Sequence, residues 1–177
     1  MFATLYLPNF YLQAALRHQA ELETEAVALI DGAAVKAVII QLNEAAERAG
    51  VSCGMTPTQG LARHLPLIVR TRVRAQETLL DELLLQFAFS LAPLVEATAP
   101  GICTVQFTAT RDLRAKVEQV VDLLGQAGLL GQAGLAPTPD ASLLAAHLAC
   151  PVLEVNNTKN FLAPLAIETL VHCHMCF

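Results

Sequence analysis

The clearest chemical pattern in the sequence is a run of alternating arginines, Arg70, Arg72 and Arg74. Side chains two residues apart on a β-strand point to the same face, so a strand here would place three guanidinium groups in a row. Such a row could neutralise the phosphates of a nucleic acid, with Arg63 as a fourth charge nearby. The alternative is an ordinary solvated face, and the net charge of −5 argues against extensive contact with nucleic acid. We therefore predict weak DNA binding at most, through these four arginines.

A second group of reactive side chains lies at the C-terminus, where His172, Cys173, His174 and Cys176 combine a Cys-x-x-Cys spacing with two histidines. Thiolate and imidazole are the usual ligands of structural zinc, but such a site needs four ligands in a fixed geometry. The sequence offers no second pair at a suitable spacing, and terminal segments are often poorly ordered. We therefore predict no metal site, and interpret the segment as a frayed tail.

The composition indicates a cytoplasmic globular protein. Hydrophobic residues make up 54% of the 177 residues and charged residues 15%. The most apolar run, residues 79–95, is interrupted by two acids and a glutamine, so it falls short of the roughly 20 apolar residues that a membrane-spanning helix needs. The N-terminus lacks the features of a signal peptide. Because the chain has an odd number of cysteines at irregular spacing, we expect Cys53, Cys103 and Cys150 to be buried, reduced thiols.

The elements that must position these side chains alternate between strands and helices, which indicates an α/β or α+β fold. A hexapeptide, Leu-Leu-Gly-Gln-Ala-Gly, occurs twice in succession at 123–128 and 129–134, and we interpret it as a duplication that lengthens a loop. The predicted elements follow from hydrophobic periodicity and turn residues. They are strand 2–7, helix 9–20, strands 27–30 and 34–40, a helix capped by Asn43 and ended by Gly50, a helix begun by Thr56 and Pro57, strand 66–73, helix 75–91, strands 94–98 and 102–108, helix 112–124, strand 130–136 and helix 139–149.

Four stretches of the sequence resemble the Y-family (translesion) DNA polymerases. The most specific is Asn43–Thr56, which is similar to the fingers motif Asn-Tyr-Glu-Ala-Arg-x-x-Gly-Val-x-x-Gly-Met. Phe2–Gln13 resembles the first strand and its aromatic turn, and Gly101–Thr108 resembles the strand that carries an Asp-Glu pair in active enzymes. Thr138–Pro151, followed by Phe161–Leu165, resembles the late palm helix and the start of the thumb.

The resemblance implies a polymerase-type palm, which is a mixed sheet flanked by helices with a small fingers subdomain inserted. It assigns the palm to residues 1–11 and 74–160, the fingers to 12–73, and a truncated start of the thumb with the tail to 161–177. Since the neighbours of a palm are then missing, we expect an exposed apolar surface at residues 161–170.

The same resemblance places no acid where active members bind their catalytic metals. Tyr6 stands where the first strand carries an Asp, and Gly101 and Ile102 stand where the second Asp and its Glu neighbour would be. A register shifted by one residue supplies Pro100 but still no acid. A phenol is neutral at pH 7 and binds Mg²⁺ poorly, because this cation prefers carboxylate oxygens. The resemblance therefore implies no catalytic residue and no metal or other cofactor.

The positions that contact the nucleotide triphosphate are changed as well. The fingers Tyr and Arg correspond to Glu44 and Glu47, and the late-palm Lys corresponds to Pro139. Two carboxylates would repel a tetra-anion, and phosphoryl transfer depends almost wholly on positioning and on metal and cation electrostatics. We therefore expect no nucleotide-binding residue.

The pattern most resembles the ImuB-like branch of the family, whose members are inactive polymerase homologues that act as adaptors in a mutagenic translesion complex. This implies a non-catalytic adaptor in DNA damage tolerance, with a replicative-type error-prone polymerase and a RecA-like accessory protein as partners, weak DNA contact and no membrane contact. Two alternatives stay open. One is an active nucleotidyltransferase that uses displaced carboxylates such as Glu96, Glu44 or Asp112, and the other is a truncated remnant without function.

Overall fold

The structure is a computed structural model that describes residues 1–17, 19–22, 24–32, 37–108 and 111–166. The C-terminal histidines and cysteines therefore lie outside the described residues. Strands and helices mix throughout, which confirms the predicted class. In chain order the elements are β1 (Phe2–Tyr6), α1 (Phe10–Leu16), a 3-10 turn (Ala20–Leu22), β2 (Val27–Ile30), β3 (Ile39–Leu42), α2 (Glu44–Arg48), α3 (Pro57–Arg63), β4 (Ile68–Thr71), α4 (Arg74–Leu91), β5 (Leu94–Ala99), β6 (Ile102–Gln106), α5 (Leu113–Gln126), β7 (Gln132–Ala136), α6 (Pro139–Leu148), β8 (Val152–Glu154) and α7 (Thr158–Leu162).

The chain divides into two compact units, which we call the palm-like unit and the inserted unit. The palm-like unit consists of Met1–Pro8 and Leu79–Phe177, and the inserted unit of Asn9–Thr78. The insertion expected at 12–73 lies within the second of these. Helix α4 begins in the inserted unit and ends in the palm-like unit. Among the described residues, no helix combines the length and the apolar character that crossing a membrane requires.

The palm-like unit is built on a five-stranded mixed sheet in the order β5-β6-β1-β7-β8. All neighbouring strands are antiparallel except β7 and β8. Helix α6 lies on the face of the sheet to which Thr4 points. Gly134 makes this close approach possible, because a Cβ at this position would lie 2.2 Å from the carbonyl oxygen of Ser142. The opposite side chains of β1, Ala3 and Leu5, are fully buried.

The inserted unit has a three-stranded sheet in the order β3-β2-β4, in which β2 is antiparallel to β3 and parallel to β4. The predicted helix starts in this unit are confirmed. Thr56 and Gln59 form a capping box at α3. The Asn43 side-chain oxygen accepts hydrogen bonds from the Ala46 N–H at 3.1 Å and from the Val27 N–H at 3.0 Å. Asn43 therefore both caps α2 and attaches it to β2.

The interpretation of the duplicated hexapeptide as a slack loop was wrong. Four residues of the first copy end α5, and three residues of the second copy begin β7, so only residues 127–131 form the connection. Leu124 in the first copy and Ala133 in the second are both fully buried. The same hexapeptide thus contributes to a helix in one copy and to a strand in the next, because burial against different neighbours overrides local propensity.

Other expectations were wrong in detail. The first helix ends at Leu16, not at residue 20, and β3 begins at Ile39, while residues 33–36 lie outside the described part of the chain. Cys53 and Cys150 are exposed, and only Cys103 of the three cysteines is buried. The surface expected at 161–170 is covered in part. Phe161 packs against a buried cluster on β7 and α6, whereas Leu162 is 42% exposed.

Candidate functional site

The residues that the resemblance assigns to the metal-binding positions lie together where β5, β6 and β1 meet. Tyr6 at the end of β1 is directly opposite Ile102 at the start of β6. Pro100 and Gly101 form the turn between β5 and β6. Ile102 is 2% exposed, so an apolar side chain fills this position. Neither register considered for the resemblance puts an acid at these positions.

The turn at Gly101 is closed by contacts within the fold. Gly101 has a φ of 73°, a backbone conformation that residues other than glycine rarely adopt. Its N–H donates to the Asp81 carboxylate oxygen of α4 at 2.8 Å, and its carbonyl oxygen accepts from the Leu7 N–H at 2.9 Å. The carboxylate of Asp81 thus acts as a structural acceptor for the hairpin.

The side chain of Tyr6 packs against His147 of α6. The ring centroids are 4.2 Å apart, and the planes are inclined by 47°. Burial lowers the pKa of His147, and its Nε2 is buried without a hydrogen-bond partner in the described part of the chain. The contact therefore joins a phenol to a neutral imidazole. No motif in the sequence marks His147 as a neighbour of Tyr6.

Behind Tyr6, four hydroxyl groups form a continuous hydrogen-bonded chain. Ser142 donates to the Pro139 carbonyl oxygen at 2.7 Å, which commits its only proton. Thr4 must therefore donate to Ser142, at 2.7 Å, and Thr104 to Thr4, at 3.2 Å. By the same logic Thr98 donates to Thr104 at 3.0 Å. The sheet beneath the site is thus crossed by neutral groups that satisfy one another, with no charge among them.

The other candidate acids do not assemble into a metal site. In the part of the chain that the structure describes, no group of three or more His, Cys, Asp or Glu side chains could hold a metal ion. Glu96 lies on β5 opposite Thr104, and Asp112 precedes α5 in a left-handed conformation with φ of 54°. Pro139, at the position of the triphosphate-binding Lys, begins α6 and is exposed.

The two glutamates at the nucleotide positions of the fingers lie on the short helix α2. Glu44 and Glu47 are both exposed, and both lie in the first turn of that helix, where negative charge is favourable. Glu44 forms an ion pair with Arg48, one helical turn further on. These contacts give each carboxylate a role in stabilising the helix, and neither provides an attractive contact for a phosphate.

The predicted row of three arginines on one strand face was wrong. Strand β4 ends at Thr71, so Arg70 is its only arginine, and Arg74 is the first residue of α4. Arg72 lies between them and folds back onto Glu77, donating from Nε at 2.8 Å and from Nη2 at 2.6 Å to the two carboxylate oxygens. The side chains of Arg72 and Glu77 are only 11% and 9% exposed. Arg72 is therefore not available to bind a phosphate.

Arg72 makes two further contacts, one with the ring of Tyr11 and one with the carboxylate of Asp31. The Arg72 Cζ lies 3.7 Å from the centroid of the Tyr11 ring, a cation–π contact. Asp31 lies 3.4 Å from Arg72 and 3.3 Å from Arg74. The hydrogen bonds to Glu77 raise the pKa of Arg72 despite its burial. Arg72 and Arg74 are thus paired with two acids, Glu77 and Asp31. Of the four arginines proposed to bind DNA, the other exposed ones are Arg63 and Arg70, and Arg74 also remains exposed.

Comparison with known proteins gives the same relationship from sequence and from structure. A sequence model of the impB/mucB/samB family matches residues 5–147. Among solved structures, an insertion ternary complex of Dbh DNA polymerase superposes with a TM-score of 0.83 at 12% identity, over 95% of this chain and 53% of the other. DinB from Sulfolobus solfataricus gives 0.80 at 13% identity, over 95% and 52%. A Y-family chimera of Dbh and Dpo4 gives 0.81 at 13% identity, over 95% and 53%.

The chain spans about half the length of these solved structures. Among curated proteins no match to the sequence was found. At such low identity, the structural likeness establishes the fold and leaves the chemistry to be argued from the residues described above.

Proposed function

Because the chain belongs to the impB/mucB/samB family and has the palm and fingers fold of Y-family DNA polymerases, we propose that it is a non-catalytic member of the ImuB-like type. In this proposal it serves DNA damage tolerance as an adaptor that brings other proteins to a lesion. The partners we propose are a replicative-type error-prone polymerase and a RecA-like accessory protein, with weak DNA contact in addition.

One observation carries the proposal. At the end of β1, where an active member has a metal-binding carboxylate, the phenol of Tyr6 packs against the neutral imidazole of His147. Phosphoryl transfer by this family needs two metal ions held by carboxylates, since the protein supplies little other chemistry. Asp81 places one carboxylate at the turn of Gly101, but the described residues around it provide no group of three or more charged or imidazole ligands for Mg²⁺.

The active alternative, with displaced carboxylates, finds no support in the geometry. Glu96, Asp112 and Glu44 belong to no group of acids that could hold a metal within the described ranges. Scattered single carboxylates cannot hold the pair of closely spaced metal ions that phosphoryl transfer by polymerases uses.

The test is primer extension together with calorimetric titration of the purified protein with Mg²⁺ and a deoxynucleoside triphosphate. We expect no extension and no magnesium-dependent nucleotide binding. Tyr6→Asp should recover neither, because one carboxylate does not rebuild the site, and Tyr6→Phe serves as the matched control that keeps the ring. Magnesium-dependent nucleotide binding that weakens when residues beside Tyr6 are changed would overturn the proposal.

The adaptor role has a separate test. The purified chain should form a complex with the error-prone polymerase or with the RecA-like protein, and analytical ultracentrifugation of defined mixtures should detect it. Sedimentation of both mixtures as the sum of their separate components would refute these partners.

A further inference from the structure

Among the described residues of the palm-like unit, the outer edge of β5 is the longer of the two unpaired edges of the sheet. The opposite edge of the same sheet, β8, has only three residues, all half-buried. Strand β5 has six residues, four of them exposed, including Leu94 at 50%. An edge of this kind offers backbone groups to any chain that can pair with it.

The hydrogen-bond pattern shows which backbone groups of β5 face outward. The Leu7 N–H donates to the Gly101 carbonyl oxygen, so the odd-numbered residues of β6 pair their backbone with β1. The even-numbered residues of β6 therefore bond to β5, and their partners on β5 turn their N–H and C=O groups inward. The residues left with both groups pointing away from the sheet are Val95 and Ala97.

Natural proteins protect such edges with lysines, prolines, bulges or short strands. The prolines here, Pro93 and Pro100, lie just outside β5, and the strand contains no lysine. The register shifts between Ala97 and Ala99, so a bulge distorts only the end of the strand. Residues Leu94–Ala97 thus form a regular segment without lysine, proline or bulge, whose one charged side chain is Glu96, and we call it the β5 edge.

The charges favour a basic occupant. Glu96 is the only charged side chain on β5, and it is exposed. The described residues of the palm-like unit include eight acidic side chains and only four lysines or arginines, so this unit is net negative. Oppositely charged residues on paired strands stabilise the pair, and like charges directly opposite each other destabilise it. A segment with a lysine or arginine opposite Glu96 is therefore favoured over an acidic one.

A second copy of this chain fits the β5 edge poorly. A two-fold antiparallel pair centred on Glu96 would place two carboxylates opposite each other. A pair centred on Ala97 would run through the bulge, and one centred on Val95 would be interrupted by Pro93, which has no N–H to donate. Every symmetric register thus carries a defect that a different partner avoids.

We propose that the β5 edge is a docking site for an extended, basic and apolar segment of a partner protein, which joins the palm sheet as an additional strand. Its backbone pairs with Val95 and Ala97, and its cationic side chain lies opposite Glu96. The inference rests on the proposed adaptor role and locates one of its contacts, on a part of the sheet that the degenerate metal site does not use.

The probe is a nine-residue peptide in which lysine alternates with valine, compared with one in which glutamate replaces lysine. Fluorescence anisotropy should show tighter binding of the basic peptide to the intact chain. Ala97→Pro removes an outward N–H without removing a bond to β6, and Ala97→Val is the matched control that keeps the donor. Loss of one net hydrogen bond corresponds to about fivefold weaker binding, so Ala97→Pro should weaken the basic peptide by at least that much.

Glu96→Lys provides a second, independent readout that keeps every backbone donor, which matters if Ala97→Pro destabilises the fold. It should reverse the preference, so that the acidic peptide binds more tightly than the basic one. Amide hydrogen exchange at Val95 and Ala97 should slow when the basic peptide is bound to the unaltered chain.

Three results would overturn the proposal. They are equal binding by the Ala97→Pro and Ala97→Val proteins, no preference between the two peptides, and self-association of the chain that Ala97→Pro abolishes. The last result would assign the edge to a second copy. Primer extension by this chain would instead refute the adaptor role and leave the peptide result standing, so the two failures are distinguishable.

Discussion

Replacing Arg72 with alanine should destabilise the inserted unit strongly, although a surface arginine normally contributes little. Arg72 is 11% exposed and holds both oxygens of Glu77, which is 9% exposed. Removing the cation leaves a buried carboxylate without its principal partner. The loss of one member of a buried ion pair costs about 3–5 kcal/mol, because the remaining charge keeps its desolvation penalty.

The surroundings of Glu77 determine where in that range the value should fall. Arg74 lies 3.7 Å from the carboxylate and offers partial compensation, but it is 67% exposed and its interaction is screened by water. Glu77 also lies in the first turn of α4, where the helix dipole favours a negative charge. The lost cation–π contact with Tyr11 adds on the order of 1 kcal/mol. We therefore expect a total near the lower end, about 3 kcal/mol.

The assay is urea-induced unfolding followed by circular dichroism, with amide hydrogen exchange in β2 and β4 to assign the effect to the inserted unit. Arg70→Ala is the control, since Arg70 is exposed on β4 and should cost less than about 0.5 kcal/mol. The double change of Arg72→Met with Glu77→Leu should restore stability to within about 1 kcal/mol, because no buried charge then remains. If Arg72→Ala costs no more than Arg70→Ala, the cluster is not the structural contact that we infer.

Three further outcomes follow from the structure. Ser142→Ala removes the acceptor of the fully buried Thr4 hydroxyl and should lower the free energy of unfolding in urea by about 1–3 kcal/mol. The double variant with Ser142→Ala and Thr4→Val should lose less stability than the two single variants lose together. Burial lowers the pKa of His147 in the folded state, so the unfolded state binds the proton more readily. The free energy of unfolding should therefore fall as the pH drops below about 6.5. His147→Phe should flatten this pH dependence, and an unchanged curve would show that His147 is not its source. If Arg63 or Arg70 contacts a duplex phosphate, its replacement by alanine should reduce the slope of log DNA affinity against log salt by about 0.9. Arg72→Ala should leave this slope unchanged, and a change would contradict the burial of Arg72.

The sequence was sufficient to predict features that depend on neighbours in the chain. Asn43 and Thr56 cap their helices as predicted, because the cap and the N–H groups that it satisfies lie within three residues of each other. The alternation of strands and helices was likewise enough for the class. The absence of acids at Tyr6, Gly101 and Ile102 could also be recognised from the sequence, because it follows from residue identity alone.

Features that depend on distant contacts could not be predicted. The alternation of Arg70, Arg72 and Arg74 has the period of a strand, but β4 stops after Thr71. Arg72 turns toward Glu77 and Asp31, and nothing in the local pattern marks either acid as its partner. The sequence therefore identified three cationic side chains but placed them on one exposed strand face that the structure does not form.

His147 shows the same limit at the candidate site. It lies 141 positions along the chain from Tyr6, and only the packing of α6 on β1 brings the rings to 4.2 Å. That packing depends in turn on Gly134, whose missing side chain lets the helix approach the sheet.

On the proposed non-catalytic role, the interior of the palm-like unit gives a physical reason why single changes would not install catalysis. A pair of facing carboxylates repel each other and are stable in a fold only when cations or donors compensate them. Here the equivalent space contains an imidazole that burial keeps neutral, an apolar Ile102 and a hydroxyl chain whose protons are all committed in one direction. A carboxylate introduced by Tyr6→Asp would lie next to His147, where it would favour protonation of the imidazole and pair with it, whereas alone it would offer Mg²⁺ a single charged ligand. The packing of Tyr6 against His147 therefore opposes a metal site at the end of β1, as the proposed non-catalytic role requires.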